Sequence, residues 1–260
     1  MAKTSSLKRR GLGSTSRRDA WWITPLVTFV VLTLFIVYAT WAALQGTNYW
    51  TGPYLSPFYS PEIWGGSPHA WFAGPPGWWP GWLPFSPALI ILPIPALFRF
   101  TCYYYRGAYY KAFWADPPAC AVGEPRKGYN SENAWPLKIQ NAHRYVLYLA
   151  LIFLVFLWKD VWNAFWFKEG FGIGVGTLVL LFNTVMLTLY TVSCHSLRHL
   201  VGGNRDCLSA RPVSRACYGC VSGLNTRHML FAWISLFGVM GADLYVRLVA
   251  SGTIADLRLL

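Results

Sequence analysis

The sequence contains few charged residues and no motif for binding a nucleotide. Of its 260 residues, 12% are charged, 55% are hydrophobic and 18% are aromatic. This shortage of charge excludes an ordinary soluble domain of the same length, because such a domain needs a polar surface. Without a glycine-rich nucleotide motif, and with few polar residues outside the loops, the chain is predicted to hold no catalytic residues for flavin-dependent oxidation.

Long apolar runs take the place of a polar surface. A membrane-spanning helix needs about 20 largely apolar residues, and the sequence has four clear runs and one interrupted run. The interrupted run carries Pro87, Pro93, Pro95 and Arg99, and we expect a kinked span because neighbouring helices can satisfy the backbone groups that proline frees. The predicted fold is all-α, a five-helix transmembrane bundle with a Trp/Pro-rich external loop. The predicted spans are residues 22–44, 85–105, 142–158, 172–193 and 229–250.

Basic residues are missing from one long segment. The formal net charge is +12, yet residues 45–84 contain no Lys or Arg. By the positive-inside rule this segment is external and the N-terminus is cytoplasmic. Following the spans in turn places the C-terminus outside and leaves only four of the 22 Lys and Arg residues on the outer side. The positive charge therefore indicates topology and not a surface for nucleic acid. Residues 1–20 are predicted as a disordered basic tail and residues 21–260 as one membrane domain.

The external segment is unusually rich in proline and tryptophan. Nine prolines lie between Pro53 and Pro87, with tryptophans interleaved. Proline prevents a long regular helix, and tryptophan favours the headgroup layer. The composition predicts a folded loop that lies on the outer membrane surface.

The cysteines and histidines gather on one side of the predicted topology. All six cysteines and four of the five histidines fall at the inner ends of spans or in inner loops. That side is reducing, which argues against a disulfide framework. His195 and His199 are four residues apart and would project from one face of a helix, while Cys217 and Cys220 form a Cys-x-x-Cys pair. We therefore predict a metal centre at these four residues.

Three cofactors fit such residues. Two imidazoles and two thiolates suit a tetrahedral zinc or a Rieske-type [2Fe-2S] cluster. Haem b is the third, because His143 and His228 both begin spans at the inner boundary and paired histidines ligate haem iron. Helix packing could bring other ligands closer than the loop cysteines. The reserve ligands are Cys102, His143, Cys194, Cys207 and His228.

Aromatic and cationic residues accompany the kinked span at its inner end. A quinone headgroup needs apolar walls and hydrogen-bond donors at its carbonyl oxygens, and this mixture supplies both. Arg99 lies deeper in the span, where an arginine costs about 2.5–3.5 kcal/mol on insertion scales and is a functional candidate by default. An aromatic belt with snorkelling cations is the alternative interpretation. The predicted quinone-binding residues are Arg99, Tyr103, Tyr105, Arg106, Lys111, Trp114, Asp116, His143 and Arg144.

These features together resemble one family. The basic tail, the sequence Asp19-Ala-Trp-Trp, the predicted spans, the outer loop, the segment Phe100-Thr-Cys-Tyr-Tyr-Tyr-Arg106 and the Cys/His-rich inner side resemble the membrane-anchor subunit of an actinobacterial (mycobacterial-type) succinate dehydrogenase. The resemblance covers nearly the whole chain.

The resemblance implies a multi-pass protein of the bacterial plasma membrane. Such an anchor docks the flavoprotein and iron–sulfur subunits, with further small membrane subunits as additional candidate partners, and passes electrons from succinate oxidation to menaquinone. It also implies a Rieske-like [2Fe-2S] cluster in place of haem, in agreement with the absence of histidine from the middle of every predicted span. Two other interpretations stay open: a haem b-bearing electron-transfer anchor, and a non-redox membrane protein with a structural zinc site.

The predicted topology can be checked with reporter fusions. A reporter placed after Leu260 is expected to be external and one inserted near Arg126 cytoplasmic, because of the distribution of basic residues. Alkaline phosphatase and green fluorescent protein fusions at both positions measure this. Cytoplasmic signals from both positions would contradict the odd number of spans.

Overall fold

The computed structural model describes residues 11–125, 135, 137–203, 205 and 207–260, most of them helical. By its internal contacts the chain divides into two compact units. The first contains the described residues of Met1–Leu34 and Phe100–Asn141, and the second contains Phe35–Arg99 and Ala142–Leu260.

The helices occupy most of the predicted spans. They are α1 (Ile23–Gln45), α2 (Pro87–Ile91), α3 (Pro93–Thr101), α4 (Tyr103–Ala112), α5 (His143–Asn163), α6 (Val175–Val192), α7 (His195–Gly202), α8 (Pro212–Asn225) and α9 (His228–Ala250), with a 3₁₀ helix at Leu137–Ala142. In the described part of the chain, four segments are long and apolar enough to cross a membrane. These segments are Ile23–Gln45, Lys138–Asn163, Val175–Val192 and His228–Ala250. The prediction of a mainly helical, multi-pass chain is confirmed.

The predicted span at residues 85–105 differs from a single kinked helix. Three short helices, α2, α3 and α4, follow one another there. Pro93 starts α3, since a proline lacks the N–H that would continue the preceding helix but fits the first turn of a new one. Cys102 has an extended backbone, with φ −61° and ψ 128°, and separates α3 from α4. The described residues therefore contain four continuous candidate spans, and a bundle of five regular helices is not found among them.

Short strands shape the loops. They are β1 (Trp50–Thr51), β2 (Tyr54–Leu55), β3 (Trp64–Gly65), β4 (Phe72–Ala73), β5 (Trp166–Phe167) and β6 (Gly170–Phe171). The pairs β1–β2 and β5–β6 are antiparallel, and β3–β4 is parallel. In the β1–β2 hairpin, Gly52 has φ +53°, a conformation that favours glycine.

The Trp/Pro-rich segment is only partly a surface loop. Tyr54, Leu55, Phe58 and Tyr59 are each at most 2% exposed, and the last three join the core of the second unit beside α1. In contrast, the Trp82 side chain is 82% exposed. The aromatic residues before Ser60 thus fill the protein interior, where they bury far more area than a surface position allows.

In the first unit, part of the N-terminal tail pairs with the chain beyond α4. The backbone N–H of Gly13 donates to the Gly123 carbonyl over 2.9 Å, and that of Gly123 donates to the Ser14 carbonyl over 2.8 Å. The Arg17 guanidinium donates to the Cys120 carbonyl. The rest of the predicted tail, residues 1–10, lies outside the described residues.

A buried ion pair joins elements of the second unit. On α9, Arg247 Nε lies 2.7 Å from Asp243 Oδ2, and the two side chains are 6% and 0% exposed. The hydroxyls of Tyr38 on α1 and Ser56 in the outer segment donate to the same carboxylate. The guanidinium also donates to the Ala42 carbonyl over 2.9 Å. Every partner needed to hold these charges away from water is therefore supplied by the protein.

Removal of one charge tests this network. Asp243→Asn leaves the Arg247 guanidinium buried without a counter-charge, and we expect the free energy of unfolding to fall by about 3–5 kcal/mol. Thermal and denaturant unfolding of the purified complex in detergent measures it. The control is Glu169→Gln, which breaks the exposed Glu169–Arg258 pair and is expected to cause no measurable change. Equal stability of the Asp243 variant and the wild type would contradict the assignment.

Candidate functional site

Arg99 is held in a half-buried, mostly apolar setting near the end of α3. Its Nη1 donates to the Ala232 carbonyl over 2.9 Å, and its Nη2 donates to Ser235 Oγ over 3.1 Å. The guanidinium carbon lies 4.7 Å from the centre of the Tyr190 ring. Both α9 and α6 therefore hold the positive charge in one place, and the aromatic face adds an attractive contact.

An apolar cavity of about 130 Å³ opens beside this arginine within the second unit. Side chains of α1, α3, α5, α6 and α9 line it, together with Pro57, Phe58 and Ser60 of the outer segment. The polar residues in its lining include Ser60, Arg99, Tyr190 and Thr191. Small-molecule sites typically combine such apolar walls with a few polar groups. Of the predicted quinone-binding residues, Arg99 is the one that lines this cavity.

His143 and Cys194 meet directly behind one wall of this cavity. His143 Nε2 lies 3.0 Å from Cys194 Sγ, and both side chains are at most 2% exposed. Cys194 also caps α7, where its sulfur accepts from the Ser196 N–H. The His143 ring stacks on Phe98 at 4.7 Å between centroids, and Phe98 lines the cavity. A nitrogen and a sulfur that both suit a transition metal are thus in contact.

His228 occupies a corresponding position behind Tyr190. Their rings stack at 5.1 Å between centroids, and Tyr190 lines the cavity. His228 Nδ1 is 2.7 Å from Ser193 Oγ, one residue before Cys194. The start of α9 and the end of α6 therefore bring a second imidazole next to the cavity wall.

The predicted metal ligands do not meet in this structure. His195 and His199 do share a helix face, with their Nε2 atoms 3.0 Å apart. Cys217 and Cys220 are both exposed and lie within α8, not in a loop. Among the described residues, no three His, Cys, Asp or Glu side chains are grouped so that they could hold a metal ion.

Arg198 of α7 makes two contacts with α8. Arg198, between the two histidines in sequence, donates to Ser222 Oγ over 2.9 Å and lies 4.8 Å from the Tyr218 ring centre. These contacts direct Arg198 toward α8. Burial, together with the nearby His199 and Arg198, lowers the pKa of His195.

The remaining predicted quinone residues are divided between the two units. In the first unit, Tyr105 and Asp116 are buried, and the Arg106 guanidinium lies 5.3 Å from the Tyr103 ring centre. The first unit contains Tyr103, Tyr105, Arg106, Lys111, Trp114 and Asp116, and the second contains Arg99, His143 and Arg144. Arg144 is exposed, and its Nη2 donates to the Tyr145 hydroxyl over 2.9 Å.

The sequence interpretation missed Tyr190 and Ser60. Tyr190 lies in the apolar run of α6, where it resembles an ordinary core aromatic residue. Tyr190 lies four residues before Cys194 and therefore near the inner end of the span. This position was the one sign that it could belong to a site. For Ser60, nothing in the sequence separates it from the other serines of the outer segment.

Comparison with known proteins identifies the family. Residues 23–252 match the family described as actinobacterial succinate dehydrogenase subunit SdhC. The chain belongs to this family. A solved chain from the Mycobacterium smegmatis Sdh1 complex in the apo form is 44% identical, with 98% of each chain covered and a TM-score of 0.88. A search against curated proteins gives no match.

Membership in the SdhC family confirms the predicted resemblance. The chain is a membrane subunit of a succinate dehydrogenase, and the other subunits of such a complex are its partners. Its several long apolar helices agree with a multi-pass membrane location.

Proposed function

We propose that this anchor passes electrons from succinate oxidation to a quinone, and that the quinone headgroup binds in the apolar cavity beside Arg99. The observation that carries the proposal is a fixed guanidinium at a mostly apolar cavity that is lined by four candidate membrane spans. A charged group among membrane spans is costly and is kept where it has a function. Menaquinone is the proposed substrate, as the family resemblance implies.

The cavity has the chemical features that a quinone requires. Phe98, Phe153 and Leu154 give apolar walls for the ring. The positive charge of Arg99 favours the negative charge that develops on the carbonyl oxygens as electrons arrive. Because this charge is anchored by α9 and stacked on Tyr190, little reorganisation is needed during the reaction.

We further propose a [2Fe-2S] cluster next to this cavity. His143 and Cys194 supply one nitrogen and one sulfur in contact. His228, also from the reserve set, is proposed as a second imidazole ligand, so that these residues supply the two imidazoles and one of the two thiolates of a Rieske-type cluster. Such a cluster would carry electrons one at a time. Phe98 and Tyr190, on which the two histidine rings stack, separate them from the cavity by one side chain each.

The membrane topology also belongs to this proposal. We infer that the predicted span at residues 85–105 makes the additional crossing, because an odd number of spans fits the distribution of basic residues. The N-terminus is then cytoplasmic and the C-terminus external. The iron–sulfur subunit would dock on the inner side, near the starts of α5 and α9.

A change at Arg99 tests the quinone site. In the purified complex, Arg99→Gln is expected to reduce succinate:quinone activity by about 10²–10³-fold, a loss typical of removing one preorganised electrostatic group. Succinate-to-dye activity is expected to stay unchanged, because it bypasses the anchor. Both rates are measured with the same preparation.

The matched control is Arg258→Gln, which removes an exposed arginine paired with Glu169 and should leave both rates unchanged. Normal quinone reduction by the Arg99 variant would contradict the proposed site. Loss of both activities in an assembled complex would show that Arg99 serves assembly and not quinone binding.

Iron, acid-labile sulfide and electron paramagnetic resonance of the reduced complex test the cluster. Cys194→Ser and His143→Ala are expected to abolish a two-nitrogen [2Fe-2S] signal and to lower iron and sulfide by two each, since each change removes a ligand. Cys217→Ser is the control and should keep the signal.

If Cys217→Ser abolished the signal and Cys194→Ser kept it, the ligands would be those predicted from the sequence. Bis-histidine haem bands without labile sulfide would support the haem b anchor instead. Zinc without iron would support a structural metal site.

A further inference from the structure

A second, polar pocket of about 150 Å³ lies on the side of the second unit where the outer segment folds. Glu62, His69, Lys159 and Asp160 contribute to its lining. Unlike the apolar cavity, this pocket is lined by several ionisable side chains. It belongs to the end of α5 that is remote from His143.

Ser60 connects the two spaces. Its hydroxyl donates to Asp160 Oδ2, and Asp160 lines the polar pocket. Ser60 itself is 1% exposed and lines the apolar cavity. A carboxyl group open to the outer pocket and a hydroxyl in the cavity wall are thus joined by one hydrogen bond.

The positions of the cavity-lining residues on α5 show how far the cavity extends along this helix. Ala150, Phe153, Leu154 and Leu157 line the apolar cavity, over a helix length of about 10 Å at 1.5 Å per residue. Asp160 follows Leu157 by less than one turn. The cavity therefore extends along the membrane-crossing direction of α5 and ends next to the carboxyl group.

We propose that Asp160 and Ser60 deliver protons from the outer side of the membrane to the quinone in the apolar cavity. This inference rests on the proposed function and its topology. Reduction of a quinone to a quinol consumes two electrons and two protons, and the electrons arrive through the partner iron–sulfur subunit. When the Asp160 carboxyl group is protonated, the same hydrogen bond runs from its O–H to Ser60 Oγ. As Ser60 then gives its hydroxyl proton to a quinone oxygen, it takes the carboxyl proton of Asp160. Asp160 is then reprotonated from the polar pocket.

The groups facing Asp160 are suited to supply that proton. Lys159 and His69 share the pocket, as does Glu62, whose Oε1 accepts from the Tyr49 hydroxyl over 2.8 Å. His69 Nε2 lies 3.3 Å from the Gly52 carbonyl and is partly exposed. This partly exposed imidazole connects the polar pocket with the outer solution.

The experiment uses the whole complex in proteoliposomes that contain a trapped pH-sensitive dye. Valinomycin and potassium collapse the membrane potential, and succinate added outside drives only complexes whose soluble subunits face out. With a menaquinone analogue in the lipid, the lumen is expected to lose one to two protons per succinate oxidised. Ser60→Ala and Asp160→Asn should abolish this lumenal change and slow quinone reduction by about 10²-fold, with succinate-to-dye activity unchanged.

Two controls match these variants in type and burial. Ser86→Ala removes another buried hydroxyl that contacts Tyr59, and Asp256→Asn changes a carboxylate that binds Tyr54 and Tyr245. Both should behave as the wild type. Quinone reduction without a lumenal pH change in the wild type would overturn the outer proton path but keep the proposed function. No quinone reduction at all, with dye reduction intact, would overturn the proposed function itself.

Discussion

The buried pair of Asp243 and Arg247 is the constraint on which the second unit depends. A hydrocarbon environment gives no water to a charge, so each charged atom must find its partner within the protein. Tyr38 of α1, Ser56 of the outer segment and α9 all contribute to the pair. The segment between α1 and α2 is thereby held in the interior, and Pro57, Phe58 and Ser60 come to line the cavity.

The same requirement explains why the candidate site lies where it does. Arg99 is tolerated because α9 offers a carbonyl and a hydroxyl, and α6 offers an aromatic face. Phe98, the residue before it, points to His143 on α5. The helix α3 begins at Pro93 and ends just before the extended Cys102. It therefore orients both Arg99, at the cavity, and Phe98, which contacts His143.

Features that depend only on residues close together in the sequence were predictable. The long apolar runs follow from membrane thickness, and Arg99 was identified by the cost of an intramembrane charge. His195 and His199 share a helix face because their spacing fixes it. Spacing alone could not show that the described residues hold no metal-binding group at these histidines, because that depends on how α7 and α8 pack. The roles of Tyr190 and Ser60 likewise depend on which elements pack around the cavity, and no sequence spacing encodes that.

The hydrogen bond between Ser56 and Asp243 spans 187 positions in the chain, and this has a consequence for biogenesis. Ribosomes make the outer segment early and α9 last. Until α9 enters the membrane, the polar groups that will surround its carboxylate lack their central acceptor, and the interior near α1 stays incomplete. A truncated or stalled chain therefore presents unsatisfied polar groups within the bilayer, a feature by which membrane proteases could distinguish it from a finished subunit ready for assembly.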